Sequence, residues 1–193
     1  MSDMKSQPRH AALPVTGMPF VLILSALMAF TSLSTDIYLP ALPAMQKDLQ
    51  GNTELTITGF LLGFCIAQLV WGPISDSLGR RKPLMIGMVL FIVGSIGCSL
   101  SHNITQIVFW RVFQALGACT GPMLARAMIR DLFTRARAAQ MLSVLMVIMS
   151  IAPIAGPLMG GQIIRFASWQ AIFWLLAGLG TLMLISLYWL PET

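Results

Sequence analysis

Apolar residues run on almost without interruption in six stretches of the chain, at roughly 18–39, 55–75, 84–101, 104–128, 141–164 and 169–190, and polar residues gather between them. A helix needs about 20 mostly apolar residues to cross the hydrocarbon of a bilayer, and each stretch approaches or exceeds that length. None alternates apolar with polar as the strand of a membrane barrel does. Backbone in hydrocarbon must also satisfy its own hydrogen bonds, which a helix does within one segment. The pattern therefore predicts an all-α membrane protein with six transmembrane helices. Residues 1–17, polar and containing two prolines, are expected to form a cytoplasmic N-terminal tail, and residues 18–193 the six-span unit. The longest outer connection is expected near 40–54. The first stretch is too long for the core of a cleavable signal, and no small-residue cleavage site follows it.

Composition agrees with this reading. The 193 residues are 56% hydrophobic and 10% charged, where a soluble domain has about a quarter charged. A net charge of +5 would suit a nucleic-acid partner, but the positions of the cations argue against one. Lys5 and Arg9 precede the first stretch, Arg80, Arg81 and Lys82 follow the second, and Arg126, Arg130, Arg135 and Arg137 cluster about the end of the fourth. With six crossings these share one side of the membrane, and only Lys47 and Arg165 fall on the other. An excess of cations marks the cytoplasmic side, so both termini are expected there, with the bilayer rather than nucleic acid as the surrounding partner. Cys65, Cys98 and Cys119 lie inside the stretches without CxxC spacing, which predicts neither a disulfide framework nor a metal site. His10 and His102 have no nucleophile near them, so neither an enzyme nor a cofactor is expected.

A weak internal repeat is present. "WGPISD" (71–76) closes the second stretch and "AGPLMG" (155–160) falls late in the fifth, 84 residues on. The same offset carries Asp36 to Thr120 in the fourth. Spans one to three then match spans four to six, and because three is odd the second set is inverted. Such 3+3 inverted repeats build many secondary transporters. Gly59, Gly63 and Ala67, then Gly117 and Gly121, then Gly156 and Gly160 form small-residue stripes at helix-packing spacing.

Two charges sit inside apolar stretches. Asp36 falls in "STDIYLPALP" and Arg111 in "RVFQALGA", with Gln114 one helical turn from Arg111 on the same face. Ionisable groups at that depth are costly and mark function by default. Two readings stay open for each. Arg111 either faces a cavity or snorkels toward the helix start at Asn103. Asp36 either lines a cavity or lies at the outer interface, since it is about 25 Å along a helix from Pro19. Aromatic Phe30, Tyr38 and Trp110 suit a cavity or a lipid belt equally well.

The turn "GPISDSLGRRKP" places Gly72, Asp76, Gly79, Arg80 and Arg81 at a spacing that a random basic loop does not explain. Gly72 and Pro73 would allow a close approach and a bend, and Gly79 a tight turn. This segment resembles the loop signature of the major facilitator superfamily. "STDIYLPALP", "RVFQALGA", "APIAGPLMGG" (152–161) and "SWQAIFW" (168–174) resemble further signatures of its drug/proton antiporter branch. Ala115, Ala152 and Gln170 stand where that pattern has glycine, glycine and arginine. The combination is most similar to multidrug exporters of the bicyclomycin/chloramphenicol-resistance type in the bacterial inner membrane.

The resemblance implies multidrug efflux by exchange for protons, with a small drug-like molecule as substrate and rocker-switch alternating access. It implies proton coupling by Arg111, with Asp36, Gln114 and Tyr38 beside it in the substrate cavity. A carboxyl group removed from water favours its protonated form, so Asp36 would trade a proton for substrate. Gly156, Pro157, Gly160 and Gly161 would bend span five and seal the cavity. Arg130 and Asp131 are expected to pair at the cytoplasmic gate. Such exporters have twelve spans in two halves, so this chain corresponds to the N-terminal half. A separate C-terminal half or a second copy of the chain would complete it. The alternatives are an exporter of another small solute, such as a sugar or metabolite, and a truncated membrane product that does not transport.

Overall fold

The computed structural model describes residues 18–190; the expected tail at 1–17 lies outside the described residues. Six helical segments are long and apolar enough to cross a membrane: Pro19–Leu49, Glu54–Leu78, Arg81–Ser99, Ile104–Leu132, Arg135–Phe166 and Gln170–Trp189. All six expected spans are present.

The first span is longer than its apolar stretch. Helix α1 (Met18–Asp36) gives way to a 3-10 turn (Leu39–Ala41) and then to α2 (Leu42–Leu49). Pro40 and Pro43 occupy the opening positions of the turn and of α2, where a missing N–H costs nothing. The helical path thus continues past Asp36 with an offset in it, and most of the expected outer loop is helix. It ends at Gln50, whose φ of 45° is the left-handed conformation of a helix C-terminus.

Helix α3 (Glu54–Leu78) carries Pro73 without ending, and Gly79, at φ 83°, makes the turn into α4 (Arg81–Ser99). Span four is divided at Cys119 into α5 (Ile104–Ala118) and α6 (Thr120–Leu132), with Pro122 in the first turn of α6. Asn103 caps α5, its side-chain oxygen accepting from Gln106 N at 2.8 Å. Helices α7 (Arg135–Phe166) and α8 (Gln170–Ser186) complete the bundle.

The packing follows the repeat in part. Helix α1 lies chiefly against α7, and α3 against α5. Exchanging spans one with four and two with five turns the first pair into the second. Spans three and six, α4 and α8, pack on each other and so map onto themselves. The symmetry is imperfect, because α4 packs closely on α5 while the corresponding α1–α8 contact is slight.

Glycines set the close approaches. A Cβ at Gly63 would stand 3.1 Å from the Val112 backbone, and one at Gly160 would collide with the Ile37 carbonyl oxygen. With lipid as solvent, such backbone-to-backbone fits supply the packing energy. Helices α3 and α7 also present exposed apolar faces, including Leu62, Leu69, Val147 and Ile154.

Candidate functional site

Arg111 is fully buried, at 0% exposure, so it neither snorkels nor lines an open cavity. Its Nη1 donates to Gln114 Oε1 at 2.6 Å, as the three-residue helical spacing requires. Gln114 Nε2 donates to Ser95 Oγ at 2.7 Å, and Ser95 Oγ donates to the Phe91 carbonyl at 2.8 Å. The guanidinium carbon lies 4.0 Å from the Tyr38 ring centroid and 4.4 Å from that of Phe60. Arginine keeps its charge in proteins. Among the described residues no carboxylate pairs with it, and besides the Gln114 bond the cation has two ring faces, each worth up to about 2 kcal/mol when desolvated. Nε and Nη2 have no hydrogen-bond partner among the described residues.

Asp36 is placed elsewhere. It lines a cleft of ≈ 270 Å³ together with Thr35, Phe60, Phe64, Arg126 and Met149. Its side chain makes no ion pair, the only ones among the described residues being those of Arg80. A second cleft, of ≈ 340 Å³, is lined by Gln68, Met123, Arg126, Arg130 and Leu142, so the two share Arg126. Arg111, Gln114 and Tyr38 line neither. The expected cavity set is thus divided, with Asp36 on the cleft and the other three packed behind it. Phe60 is the partition, since it walls the cleft and covers Arg111. The division has a steric cause: α3 and α5 approach so closely at Gly59 and Gly63 that the Arg111 side chain is enclosed between helices.

At the turn between α3 and α4, Arg80 Nη1 donates to Asp76 Oδ1 at 2.7 Å and to Ser75 Oγ at 2.9 Å. Its Nε donates to Asp131 Oδ2 at 3.1 Å. The expected Arg130–Asp131 pair is therefore corrected: Asp131, on the last turn of α6, reaches across to Arg80. Burial works against the Arg80 charge, but the bonds from Asp131 and Asp76 outweigh it and hold the guanidinium pKa above its ordinary value. Arg81 Nη2 donates to the Tyr188 carbonyl at 3.2 Å, tying the same turn to the end of span six. Gly79 turns as expected, but a Cβ at Gly72 would meet nothing within 4 Å, so no close approach occurs there among the described residues.

In span five, Gly156 and Gly160 lie against Asp36, Ile37 and Pro40, whereas Gly161 faces open space. Helix α7 runs unbroken through Pro153 and Pro157. The end of the bundle at α2 and the start of α8 is fastened further by Trp169 Nε1, which donates to Asp48 Oδ2 at 2.9 Å. Phe60 and Ser95 carry no signal in the sequence, Arg126 reads there only as a topological charge, and Asp131 reads as the partner of its neighbour Arg130. Their signal is spatial, since each acts on a residue at least 16 positions away or on a cleft. Among the described residues, no three His, Cys, Asp or Glu side chains gather where they could hold a metal.

The profile of the Major Facilitator Superfamily matches residues 23–193. An uncharacterized MFS-type transporter, YdgK of Bacillus subtilis, is 41% identical over 84% of this chain and 42% of its own length. Multidrug resistance protein MdtL of Escherichia coli is 33% identical, over 90% of this chain and 46% of its own. A bicyclomycin resistance protein homolog of Haemophilus influenzae is 29% identical over 90% and 45%. The chain spans less than half the length of these curated relatives. Among solved structures, the proton:xylose symporter XylE superposes with a TM-score of 0.80 at 16% identity, over 90% of this chain and 44% of that one. At that identity the likeness concerns the fold.

Proposed function

The chain belongs to the major facilitator superfamily, and from that premise we propose that it forms the N-terminal half of a drug/proton antiporter in the bacterial inner membrane, with both described ends of the bundle on the cytoplasmic side. The observation that carries the reading is Asp36, a carboxylate without an ion-pair partner on the wall of an apolar cleft. Such a group can hold a proton or a substrate's polar group, and competition between the two is what antiport requires. Burial of Arg111 behind Phe60 adds a fixed positive charge near that wall. The names of the multidrug and bicyclomycin resistance relatives support a drug-like substrate. Alternating access would expose the cleft to one side at a time, with the Arg80 cluster closing the cytoplasmic side and the α1–α7 glycine contacts the outer side.

The test is efflux driven by a pH gradient in proteoliposomes holding this half together with a six-span C-terminal half. Wild-type protein should export drug only under the gradient, and Asp36→Asn, which cannot release a proton, should lose that coupling. Undiminished pH-dependent transport by the variant would remove Asp36 as an essential carrier. Gradient-driven movement of a sugar or metabolite, but of no drug, would favour a different solute.

A further inference from the structure

The two clefts that share Arg126 differ in charge: the first holds a carboxylate and a guanidinium, the second two guanidiniums. Asp36 lines the first, Arg126 lines both, and Arg130 lines the second, with Phe60, Phe64 and Met149 as apolar wall beside Asp36. Arg126 is held in place through Nε, which donates to the Pro122 carbonyl at 2.8 Å. Its terminal nitrogens make no other hydrogen bond among the described residues, and neither Arg126 nor Arg130 has an ion-pair partner there. The nearest candidate in sequence, Asp131, is held by Arg80. A cytoplasmic excess of cations explains arginines at this level of the membrane. It does not explain two of them lining clefts that share Arg126, with no ion-pair partner among the described residues and one beside an unpaired carboxylate.

We propose that this site prefers aromatic zwitterions to lipophilic cations, with the ligand's ammonium at Asp36, its carboxylate at Arg126 and Arg130, and its ring against Phe60 and Phe64. This rests on the reading of the Asp36 cleft as the substrate site. A permanent cation arriving from the cytoplasmic side meets two guanidiniums and one carboxylate, and in a partly apolar cleft like-charge repulsion is screened less than in water. A zwitterion meets complementary charge at both ends. Guanidinium also matches carboxylate geometry through two parallel N–H bonds. The cleft volumes, ≈ 270 and ≈ 340 Å³, suit a molecule of one or two rings.

A set of probes that share one fluorophore isolates the charge. Dansyl-lysine is a zwitterion, dansylcadaverine a cation and dansylglycine an anion. Each is titrated against the purified chain in uncharged maltoside detergent, with dansyl emission excited through protein tryptophan. Wild type should bind dansyl-lysine about tenfold more tightly than dansylcadaverine, roughly the worth of one charged hydrogen bond. Arg126→Gln should abolish the preference, and Arg126→Lys, which keeps the charge, should retain most of it. Asp36→Asn should move the preference to dansylglycine. Thermal unfolding of each variant confirms that a folded protein is being compared.

Equal or tighter binding of the cation by wild type would overturn the proposal, as would an unchanged ratio in Arg126→Gln or binding of no probe. Displacement of dansyl-lysine by added phosphatidylethanolamine would overturn it too, by reassigning the cleft to a lipid headgroup. The proposal can fail while gradient-driven efflux survives. A failure of proton coupling, conversely, leaves the charge preference standing.

Discussion

Arg80 Nε stands 3.1 Å from the Asp131 carboxylate, which fastens the turn after α3 to the end of α6, 51 residues away. The same guanidinium holds Asp76 at 2.7 Å. The carboxylate side chains are 69% and 45% exposed, so each pair is worth at most about 1 kcal/mol. Their role is to set which helix ends meet, more than to hold the fold.

Asp76→Asn should therefore insert and unfold almost as wild type does, yet abolish export in the two-half assembly. Membrane level and drug resistance, measured in the same cells, check this; normal resistance would show that the Arg80–Asp76 pair is not needed to close the cytoplasmic side. Alkaline pH should leave the Arg80 pairs intact. The Arg80 pKa is raised above its ordinary value, so its contribution is complete below that ordinary value and is lost only as pH climbs past the raised one.

The Arg111–Gln114–Ser95 chain predicts a graded loss of stability. Gln114→Ala removes a buried bond to a charged group and should cost about 1.5–3 kcal/mol. Ser95→Ala removes a neutral bond and should cost about 1 kcal/mol. Because the bonds run in series, the double variant should lose less than the sum. Thermal unfolding of the purified variants measures all three; strict additivity would show that the bonds act independently.

Neighbouring glycines in span five should behave oppositely. Gly160→Ala drives a methyl group into the Ile37 carbonyl and must push the segment just after α1 away from α7, at a cost of about 1–3 kcal/mol. Gly161→Ala meets open space and should be neutral or slightly stabilising, since alanine favours helix. Equal melting temperatures for the two would contradict the contact of Gly160 with Ile37.

Expressed by itself, residues 1–193 should insert without conferring drug resistance, and a C-terminal half supplied as a separate chain should restore it. Helices α3 and α7 carry exposed apolar faces, and we propose that such a half covers them. Two copies could also meet there without inverting either, since the halves of such transporters are related by an axis along the membrane normal. Robust resistance from this chain alone, in a strain lacking related exporters, would make a homodimeric transporter the better reading.

Six spans, their order and the glycine turn at residue 79 were legible from sequence, because bilayer thickness and backbone sterics act on consecutive residues. So was the Arg111–Gln114 bond, which helical spacing alone brings into reach. The helical run past Asp36 was not legible, since Pro40 and Pro43 read as a loop until their positions at helix starts are known. Whether Arg111 faced a cavity or lay enclosed, and whether Asp131 paired with its neighbour or with Arg80, depended on how helices distant in sequence pack. Residue spacing fixes what one helix presents on each face, and the depth of the glycine contacts fixes which of those faces close on one another. Here that depth buried Arg111 behind Phe60 and left Asp36 on the cleft.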